Sequence, residues 1–263
     1  MIPPPPARCR RQNGLALILS LLPAAVVFVF ALRGQWREAV LVFGITFLII
    51  SWGTILPRVR LFGPSVSKLP PAQAREGGVW ITIDDGPDPV TTPRLLDILD
   101  EHGVKAGFFL IGAKARLHPD LVREIARRGH LIGNHSQTHP VAHFWRLRPA
   151  RMWQEIAGCQ QTLTEILGVA PVWFRPPVGH HNLFIGPPLR ALGLTMVMWN
   201  CRGFDGLSRN VPGILRRLAR GLRPGAIILI HDGIPVAVAV LEGTLRLLEE
   251  RELKPVLVAV NPA

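Results

Sequence analysis

Cysteine is scarce in this chain, which has three among its 263 residues. Cys9, Cys159 and Cys201 form no close pair and match no zinc-ribbon spacing. A disulfide framework is therefore excluded as the organising feature of the fold, and so is a zinc module built on cysteine. No internal sequence repeat is present either, which excludes a repeat protein.

Acidic residues are also few, since 18 Asp and Glu stand against 30 Lys and Arg and the formal net charge is +12. Residues 1–70 hold eight basic residues and one Glu, a surplus of seven, so the remainder carries only five. Outside this segment no basic stripe is interleaved with aromatic residues, so the charge does not indicate nucleic-acid binding. We predict instead that it is attracted to anionic headgroups of membrane lipids.

Two long runs, residues 14–32 and 39–56, contain no charged residue at all. Each is close to the roughly 20 apolar residues that a helix needs to cross the hydrocarbon layer. We predict that residues 1–56 form an N-terminal membrane region in which the two runs make a transmembrane hairpin. Two alternatives stay open. The first run can be a cleaved secretory signal, or one run can be a buried helix of a soluble protein.

Residues 57–78 are rich in proline and glycine and are predicted to form a linker. In residues 79–263 apolar strand-like runs alternate with amphipathic helix-like runs, which predicts an α/β domain with a parallel sheet covered by helices. About seven such units in this length favour a distorted (β/α)7-type barrel, closed or nearly closed. The predicted strands are Val79–Ile83, Ala106–Ile111, Leu131–Gly133, Val172–Phe174, Thr195–Trp199, Ala226–Ile230 and Val256–Val260.

Polar and charged side chains follow five of these strands, at the points where the strands end. Functional residues of such folds collect at the carboxyl edge of the sheet, so we expect these side chains to lie together. They are Asp84 and Asp85 after the first strand, His135 and His139 after the third, Arg175 after the fourth, Asp205 after the fifth and His231 after the sixth.

The residue types in this set suit a mononuclear divalent-metal hydrolase. One Asp and two His give three ligands and leave a coordination position for water, which is the open arrangement of a catalytic zinc. The second Asp is then free to act as a base. Adjacent residues of an extended segment point to opposite sides, so we expect Asp84 and Asp85 to face different ways.

Each part of the set has an ordinary structural alternative when it is taken alone. Asp84–Pro87 also suits a turn, His135 and His139 can lie on a solvated helix face, and Arg175 can be a simple ion-pair residue. The joint occurrence of these residues at successive strand ends favours the functional interpretation.

Four motifs carry a family resemblance. They are Thr82–Pro87 (Thr-Phe-Asp-Asp-Gly-Pro, with Ile83 in place of Phe), His135–His139 (His-Ser/Thr-x-x-His), Arg175–Gly179 (Arg-x-Pro-x-Gly) and Leu229–His231 (Leu-x-His). In these motifs the chain resembles the polysaccharide deacetylase family, carbohydrate esterase family 4, over about Val79 to Val260. Members of that family hydrolyse N- or O-acetyl groups on chitin, peptidoglycan and related glycans.

The resemblance implies a metal centre with a base and an acid. By this resemblance Asp85, His135 and His139 bind one divalent ion, usually Zn²⁺. Asp84 is then the general base that takes a proton from the attacking water. His231 is the general acid that donates a proton to the departing amine.

Supporting roles follow from the same resemblance. Arg175 is expected to hold Asp84 ionised and oriented, and Asp205 is expected to orient His231 and balance its charge. Leu229, Pro177 and Gly179 are implied as substrate-binding residues, with Leu229 helping to form a small apolar slot for the acetyl methyl group.

One further motif departs from the family pattern. Family members often have Asp-x-x-Asp-Trp where this chain has Arg202-Gly203-Phe204-Asp205-Gly206. Arg202 takes the place of the first Asp and Gly206 that of the Trp. The groove wall that this Trp normally supplies is then missing, which leaves the preferred acceptor open.

We therefore predict a multi-pass protein of a bacterial-type inner membrane that removes an N-acetyl group from an amino sugar of a glycan or glycolipid. Basic residues flanking the apolar runs favour the cytoplasmic face for the catalytic domain, although the family's substrates are mostly extracytoplasmic. Two alternatives remain. One is a deformylase or deacetylase of a lipid-linked sugar precursor. The other is a glycan-binding pseudoenzyme, against which the intact motif residues argue.

Overall fold

A parallel sheet dominates the computed structural model, which describes residues 2–55 and 65–258. Every strand pairing within these described ranges is parallel, as the alternation of strands and helices predicted. The strands are β1 (Ser65–Val66), β2 (Gly78–Gly86), β3 (Gly107–Leu110), β4 (Leu131–Asn134), β5 (Trp173–Phe174), β6 (Thr195–Val197), β7 (Cys201–Arg202), β8 (Ile227–His231) and β9 (Lys254–Pro255).

Amphipathic helices connect the strands. In the helix at Thr91–Glu101 the buried residues Thr92, Leu95, Leu96 and Leu99 recur at helical spacing, so one stripe faces the sheet. The helices are α1 (Ala7–Leu32), α2 (Trp36–Ile55), α3 (Pro71–Arg75), α4 (Thr91–Glu101), α5 (Gly112–Leu117), α6 (Pro119–Arg127), α7 (Pro149–Leu167), α8 (Gly186–Ala191), α9 (Val211–Gly221) and α10 (Ala237–Glu250).

The sheet is open where the sequence predicted a closed or nearly closed barrel. Its strand order is β1-β6-β5-β4-β3-β2-β8-β7, with β9 paired to β2. β6 and β7 are consecutive in the chain, yet no pairing joins them within the described ranges. Between them the N–H of Met198 bonds to Val66 and that of Asn200 to Ile227, so the backbone passes from one edge to the other. The expected (β/α)7-type barrel is therefore a parallel half-barrel.

Side chains of the strands alternate between two apolar clusters. The outer cluster includes Ile81, Ile83, Ile228 and Ile230 and packs under α4, α6, α9 and α10. The inner cluster includes Trp80, Phe109, Phe174, Ile227 and Leu229. Because successive strand residues point to opposite faces, residues in phase with Leu229 lie on the inner face. This face leads to the carboxyl ends of the strands.

The predicted membrane runs lie in α1 and α2, except Leu56, which is outside the described residues. Among the described residues, α1 is the one helix that is long and apolar enough to cross a membrane, a property that signal sequences and core helices share. The membrane hairpin therefore stays a prediction. α1 begins at Ala7, before the apolar run, because its first turns pack on the α/β domain: Cys9 is buried against Trp153 and Ala157.

The predicted linker contains structure in its described part, residues 65–78. β1 pairs with β6 there, and α3 follows it. The division of the chain into a membrane region, a linker and a catalytic domain remains a prediction. At the other end, the predicted strand Val256–Val260 lies partly outside the described residues, while the observed pairing with β2 is made by β9.

Candidate active site

The predicted site residues meet at the carboxyl edge of the half-barrel. Asp84 and Asp85 lie near the end of β2, and His231 ends β8 beside them in register with Asp84. The remaining members, His135, His139, Arg175 and Asp205, follow β4, β5 and β7. Parallel strands bring these segments together, although up to about 150 residues separate them in the chain.

Three side chains converge as metal ligands would. Asp85, His135 and His139 each offer one ligand atom, and these atoms lie within 4.8 Å of one another. Asp85 Oδ1 is 3.3 Å from His135 Nε2 and 3.1 Å from His139 Nε2. Ligands at zinc-like bond lengths in a tetrahedral arrangement lie about 3.3 to 3.6 Å apart. The two measured distances are close to this range, and no two of the three ligand atoms are more than 4.8 Å apart, so the set can surround one small divalent ion.

The burial and charge of the cluster fit a cation as well. Asp85 Oδ1 is buried without a regular hydrogen bond in the described part of the chain. Burial raises the pKa of Asp85. The close contact of its carboxylate with the His135 imidazole, the charge of His135 and then the charge of His139 outweigh burial, so the pKa is lowered. Burial and the charge of His135 lower the pKa of His139 to about 4, so its imidazole is neutral at pH 7. Burial lowers the pKa of His135, but the charge of Asp84 and the contact with Asp85 outweigh it and raise this pKa. Asp85 and His139 are thus in the forms that bind metal, whereas an ion bound at His135 would take the place of a proton.

Hydrogen bonds to neighbouring groups orient His135 and His139. His135 Nδ1 lies 2.8 Å from the backbone oxygen of Arg175, to which it must donate. That hydrogen bond leaves Nε2 as the free ligand atom. The N–H of His139 donates to Ser136 Oγ at 3.1 Å, and both residues have left-handed backbone angles, with φ of 53° and 66°. Left-handed angles at non-glycine residues cost free energy, so the surrounding contacts must hold this loop in place.

The two adjacent carboxylates face the same way, contrary to the expectation from an extended strand. Asp84 Oδ2 lies 3.7 Å from His135 Nε2, and Asp85 Oδ1 lies 3.3 Å from the same atom. The physical reason is a bulge between Asp84 and Gly86, where Asp85 has φ of 72°. This left-handed residue turns the second carboxylate back towards the inner face.

Arg175 is completely buried and forms an ion pair with Asp84. Its Nη1 donates to Asp84 Oδ1 at 2.7 Å and to Thr82 Oγ1 at 2.8 Å. Its Nε donates to the backbone oxygen of Val197 at 3.1 Å, and its guanidinium stacks over Phe109 at 4.2 Å. One oxygen of Asp84 is thus held, and the other is directed at the histidine cluster.

His231 and Asp205 form a second oriented pair. Asp205, which is buried, accepts hydrogen bonds from the backbone N–H of His231 at 2.7 Å and from its Nδ1 at 3.0 Å. Burial lowers the pKa of His231, but the hydrogen bond and charge of Asp205, and then the charges of Asp84 and Asp85, raise it to about 9. The imidazole is therefore cationic at neutral pH and can donate a proton from Nε2.

The three predicted substrate-binding residues line the inner side of this edge. Leu229 belongs to the inner cluster and is 4% exposed. Pro177 and Gly179 are the buried residues of a short 3-10 turn that begins two residues after Arg175, and Val178 between them is exposed. Gly179 has φ of 74°, and a Cβ there would meet the Trp199 ring at 2.5 Å, so only glycine fits this close approach.

Sequence reasoning missed several residues that hold the site. Glu155 of α7 is buried and accepts hydrogen bonds from the N–H and the hydroxyl of Thr138, inside the His135–His139 loop. Lys114 donates to the backbone oxygen of Asp85 at 2.8 Å. Asp232 accepts hydrogen bonds from Thr91 and Thr92. Glu155 and Lys114 lie in helices that carry no motif, so only Asp232, beside His231, had a signal in the sequence.

A family model described as polysaccharide deacetylase matches residues 72–197. A chitooligosaccharide deacetylase of Bradyrhizobium sp. (strain ANU 289) is 35% identical over 158 residues, which cover 60% of this chain and 71% of that protein. A peptidoglycan-N-acetylglucosamine deacetylase of Listeria monocytogenes is 31% identical over 190 residues, which cover 72% of this chain and 40% of that longer protein.

A solved structure agrees with these matches. It is a family 4 carbohydrate esterase from Streptomyces lividans in complex with acetate, which superposes with a TM-score of 0.64 at 32% sequence identity. The superposition covers 70% of this chain and 93% of that chain. The likeness therefore extends over nearly the whole of that relative and over more than two thirds of this chain.

Proposed function

Because this chain belongs to the polysaccharide deacetylase family, we propose that it hydrolyses the N-acetyl group of an acetylated amino sugar in a glycan or glycolipid. The observation that carries the proposal is the joint geometry of an ion-paired carboxylate, a cationic imidazole and a convergent Asp-His-His set at one sheet edge. By their names the relatives act on chitooligosaccharides and on peptidoglycan N-acetylglucosamine. We therefore propose that the substrate of this chain is an acetylated amino-sugar glycan of the same class.

Asp85, His135 and His139 would hold the divalent ion, which we propose is Zn²⁺. Two imidazole nitrogens and one carboxylate oxygen are a donor set that zinc accepts in catalytic sites. When bound, such an ion supplies Lewis-acid chemistry to the amide carbonyl and to the attacking water. O-acetyl and N-formyl groups are chemically related substrates that the same site can hydrolyse.

Asp84 is the proposed general base. Arg175 occupies its Oδ1 through a hydrogen bond of 2.7 Å, while its Oδ2 faces the histidine cluster. That free carboxylate oxygen accepts a proton from the attacking water molecule, while the oxygen of the water bonds to the acetyl carbon. The paired guanidinium keeps the carboxylate in one orientation, so the base does not have to be ordered during the reaction.

His231 is the proposed general acid. Its Nδ1 is bound to Asp205, so the proton on Nε2 is the one available to the substrate. Cleavage of the C–N bond requires protonation of the leaving nitrogen. With the pKa of His231 raised to about 9, the imidazolium is the main form at neutral pH and can supply this proton. Leu229, on the inner face, would contact the acetyl methyl group.

The N-terminal helices would attach the enzyme to a bacterial-type inner membrane. In α1 the described large apolar side chains are mostly exposed, with Ile18, Leu21, Phe28 and Leu32 between 58 and 72% exposed. Burial of such side chains in lipid is favourable. We propose that α1 and α2 form a membrane hairpin, with membrane lipids as neighbours and the cytoplasmic face favoured by the flanking basic residues.

A lipid-linked sugar precursor is the second candidate substrate. The exposed apolar surface of α1 favours it, because the helix packs directly on the catalytic domain and would keep the site close to the bilayer. In that case the reaction is deacetylation or deformylation of the carried sugar. The third candidate, a glycan-binding pseudoenzyme, is disfavoured by the complete set of base, acid and ligand residues.

The test is release of acetate or formate by the full-length protein in detergent. Acetylated chitooligosaccharides, peptidoglycan fragments and lipid-linked amino sugars would be compared, each with and without a chelator. Release that the chelator abolishes and added Zn²⁺ restores is expected. Absence of release from every substrate, together with retained glycan binding, would show that the protein is a binding protein and that the enzymatic proposal is wrong.

A further inference from the structure

The segment Arg202–Leu207 forms one wall of the site and departs from the family pattern. Arg202 ends β7 and is in register with Leu229 of β8. Neighbouring strands are about 4.8 Å apart, and residues two positions apart on a strand about 6.6 Å. Arg202 is therefore one strand away from the proposed acetyl slot and within about two residue lengths of His231.

The side chain of Arg202 faces the site. Its neighbour Cys201 belongs to the outer cluster, so Arg202 points to the opposite, inner face. Its guanidinium lies 5.6 Å from the ring of Trp199, which belongs to the inner cluster. On the other side of this wall, a Cβ at Gly206 would lie 3.5 Å from the His231 ring. The segment thus adjoins the proposed acid.

Arg202 is fixed by an aromatic ring and has no acidic partner. The guanidinium stacks on Phe204 at 4.1 Å. No carboxylate pairs with it within the described ranges, and the residue is exposed. Asp205 lies three residues further along the chain, and both of its carboxylate oxygens accept hydrogen bonds from His231. Stacking leaves the edge of a guanidinium free, with several N–H donors in one plane.

A second guanidinium supports the same loop. Arg217 of α9 donates to the backbone oxygen of Gly203 at 2.7 Å and lies 5.9 Å from the Phe204 ring. Phe204 itself has φ of 61° and is 39% exposed. The loop therefore presents a positively charged rim around an exposed ring, where the family pattern has an acidic residue and a Trp.

We propose that Arg202, supported by Phe204, is a subsite for an anionic group on the acetylated sugar or on the unit next to it. The group is a carboxylate or a phosphate monoester or diester, because a planar guanidinium binds either through two parallel hydrogen bonds. This inference rests on the proposed function, and it deepens it: the preferred acceptor is an anionic amino sugar rather than a neutral chitooligosaccharide.

The experiment compares three small acceptors with the metal-loaded full-length protein in detergent. They are the neutral methyl glycoside of N-acetylglucosamine, N-acetylglucosamine 1-phosphate and the methyl glycoside of N-acetylmuramic acid. Both kcat/KM for acetate release and Kd by calorimetry would be measured. Arg202→Gln removes the charge, and Arg202→Lys keeps the charge but loses the planar fork. Arg216→Gln is the control, because Arg216 is an exposed arginine of α9 and its loss changes the net charge equally.

In the wild type, one anionic acceptor should be preferred over the neutral one about tenfold or more, as expected for a charge-assisted contact. Arg202→Gln should abolish the preference and change the neutral acceptor by less than about twofold, with Arg202→Lys intermediate. Arg216→Gln should keep the preference. The preferred anion distinguishes a carboxylate-bearing glycan from a phosphate-linked sugar.

Two results would overturn the subsite. One is an unchanged ratio of anionic to neutral binding in Arg202→Gln. The other is an equal loss for all three acceptors, which would mean that Arg202 only supports the loop. If the wild type hydrolyses none of them, the proposed function fails, whereas the ratio of the Kd values still decides the subsite.

Discussion

Asp205 accepts two hydrogen bonds from His231, one from the backbone N–H at 2.7 Å and one from the imidazole Nδ1 at 3.0 Å. The carboxylate thereby sets both the position of the ring and the nitrogen that carries the available proton. It is also the strongest influence that favours the cationic imidazole, whose pKa is raised to about 9 although burial opposes this.

Asp205→Asn should therefore move the alkaline limit of activity. A general acid works only while it is protonated, so the rate falls as pH rises through the pKa of His231. In the wild type this fall is expected near pH 9, and in the variant it should move towards the ordinary histidine value of about 6.5. The measurement is kcat/KM against pH, with metal content as the control. An alkaline limit that does not move would contradict the assignment of His231 as the acid.

Asp84→Asn and Asp85→Asn should separate the base from the ligand. The first variant should lose about 100-fold to 10,000-fold in kcat, as expected for removal of a general base, and should keep its metal. The second should lose metal as well as activity, because a carbonyl oxygen of the amide replaces the charged ligand. Metal content by mass spectrometry and acetate release distinguish them. Loss of metal from Asp84→Asn with retention in Asp85→Asn would mean that the two roles are exchanged.

His231→Ala should affect substrates according to their leaving groups. An amide requires protonation of its nitrogen, so we expect a loss of about 100-fold or more in kcat. An activated aryl ester has a leaving group that departs without a proton and should lose less than about tenfold. Rates with an N-acetylated sugar and with an acetyl aryl ester would be compared. Equal losses for the two substrates would exclude the acid role.

Arg175→Met should destabilise the fold. Removal of one partner leaves Asp84, which is 3% exposed, as an uncompensated buried charge, at a cost of about 3 to 5 kcal/mol in the free energy of unfolding. The double variant Asp84→Asn/Arg175→Met should recover part of this loss. Arg94→Met, at an exposed position of α4, is the control. Urea unfolding gives the values, and an equal cost for the single and double variants would contradict the argument.

Glu155→Gln should weaken metal binding without removing a ligand. Glu155 accepts two hydrogen bonds from Thr138, at 2.8 and 2.7 Å, and so holds the loop between His135 and His139. Loss of such an orienting partner typically weakens metal affinity about tenfold to 100-fold. Affinity for Zn²⁺ would be measured by chelator competition. Glu165→Gln, on the exposed side of the same helix, is the control. An unchanged affinity for Zn²⁺ in Glu155→Gln would show that the His135–His139 loop keeps its conformation without the contact to Glu155.

The sequence alone determined which residues meet, because the meeting point depends on strand direction. Parallel strands put Asp84, His135, Arg175 and His231 at one sheet edge, whatever the details of packing. The half-barrel could not be recognised in advance, since its gap depends on two short strands, β6 and β7, and on hydrogen bonds of Met198 and Asn200. The apolar runs in α1 and α2 were visible, whereas the packing of Cys9 on Trp153 was not.

Tertiary structure decided how these residues can act. The left-handed backbone of Asp85 turns its carboxylate to the same side as that of Asp84, which strand alternation alone does not predict. Glu155 supports the metal loop from α7, and Phe204 supports the guanidinium of Arg202. These contacts join segments through distances of a few ångströms and through the direction of side chains. Residue types and their spacing place a residue at the edge of the sheet, and packing in three dimensions determines what it faces there.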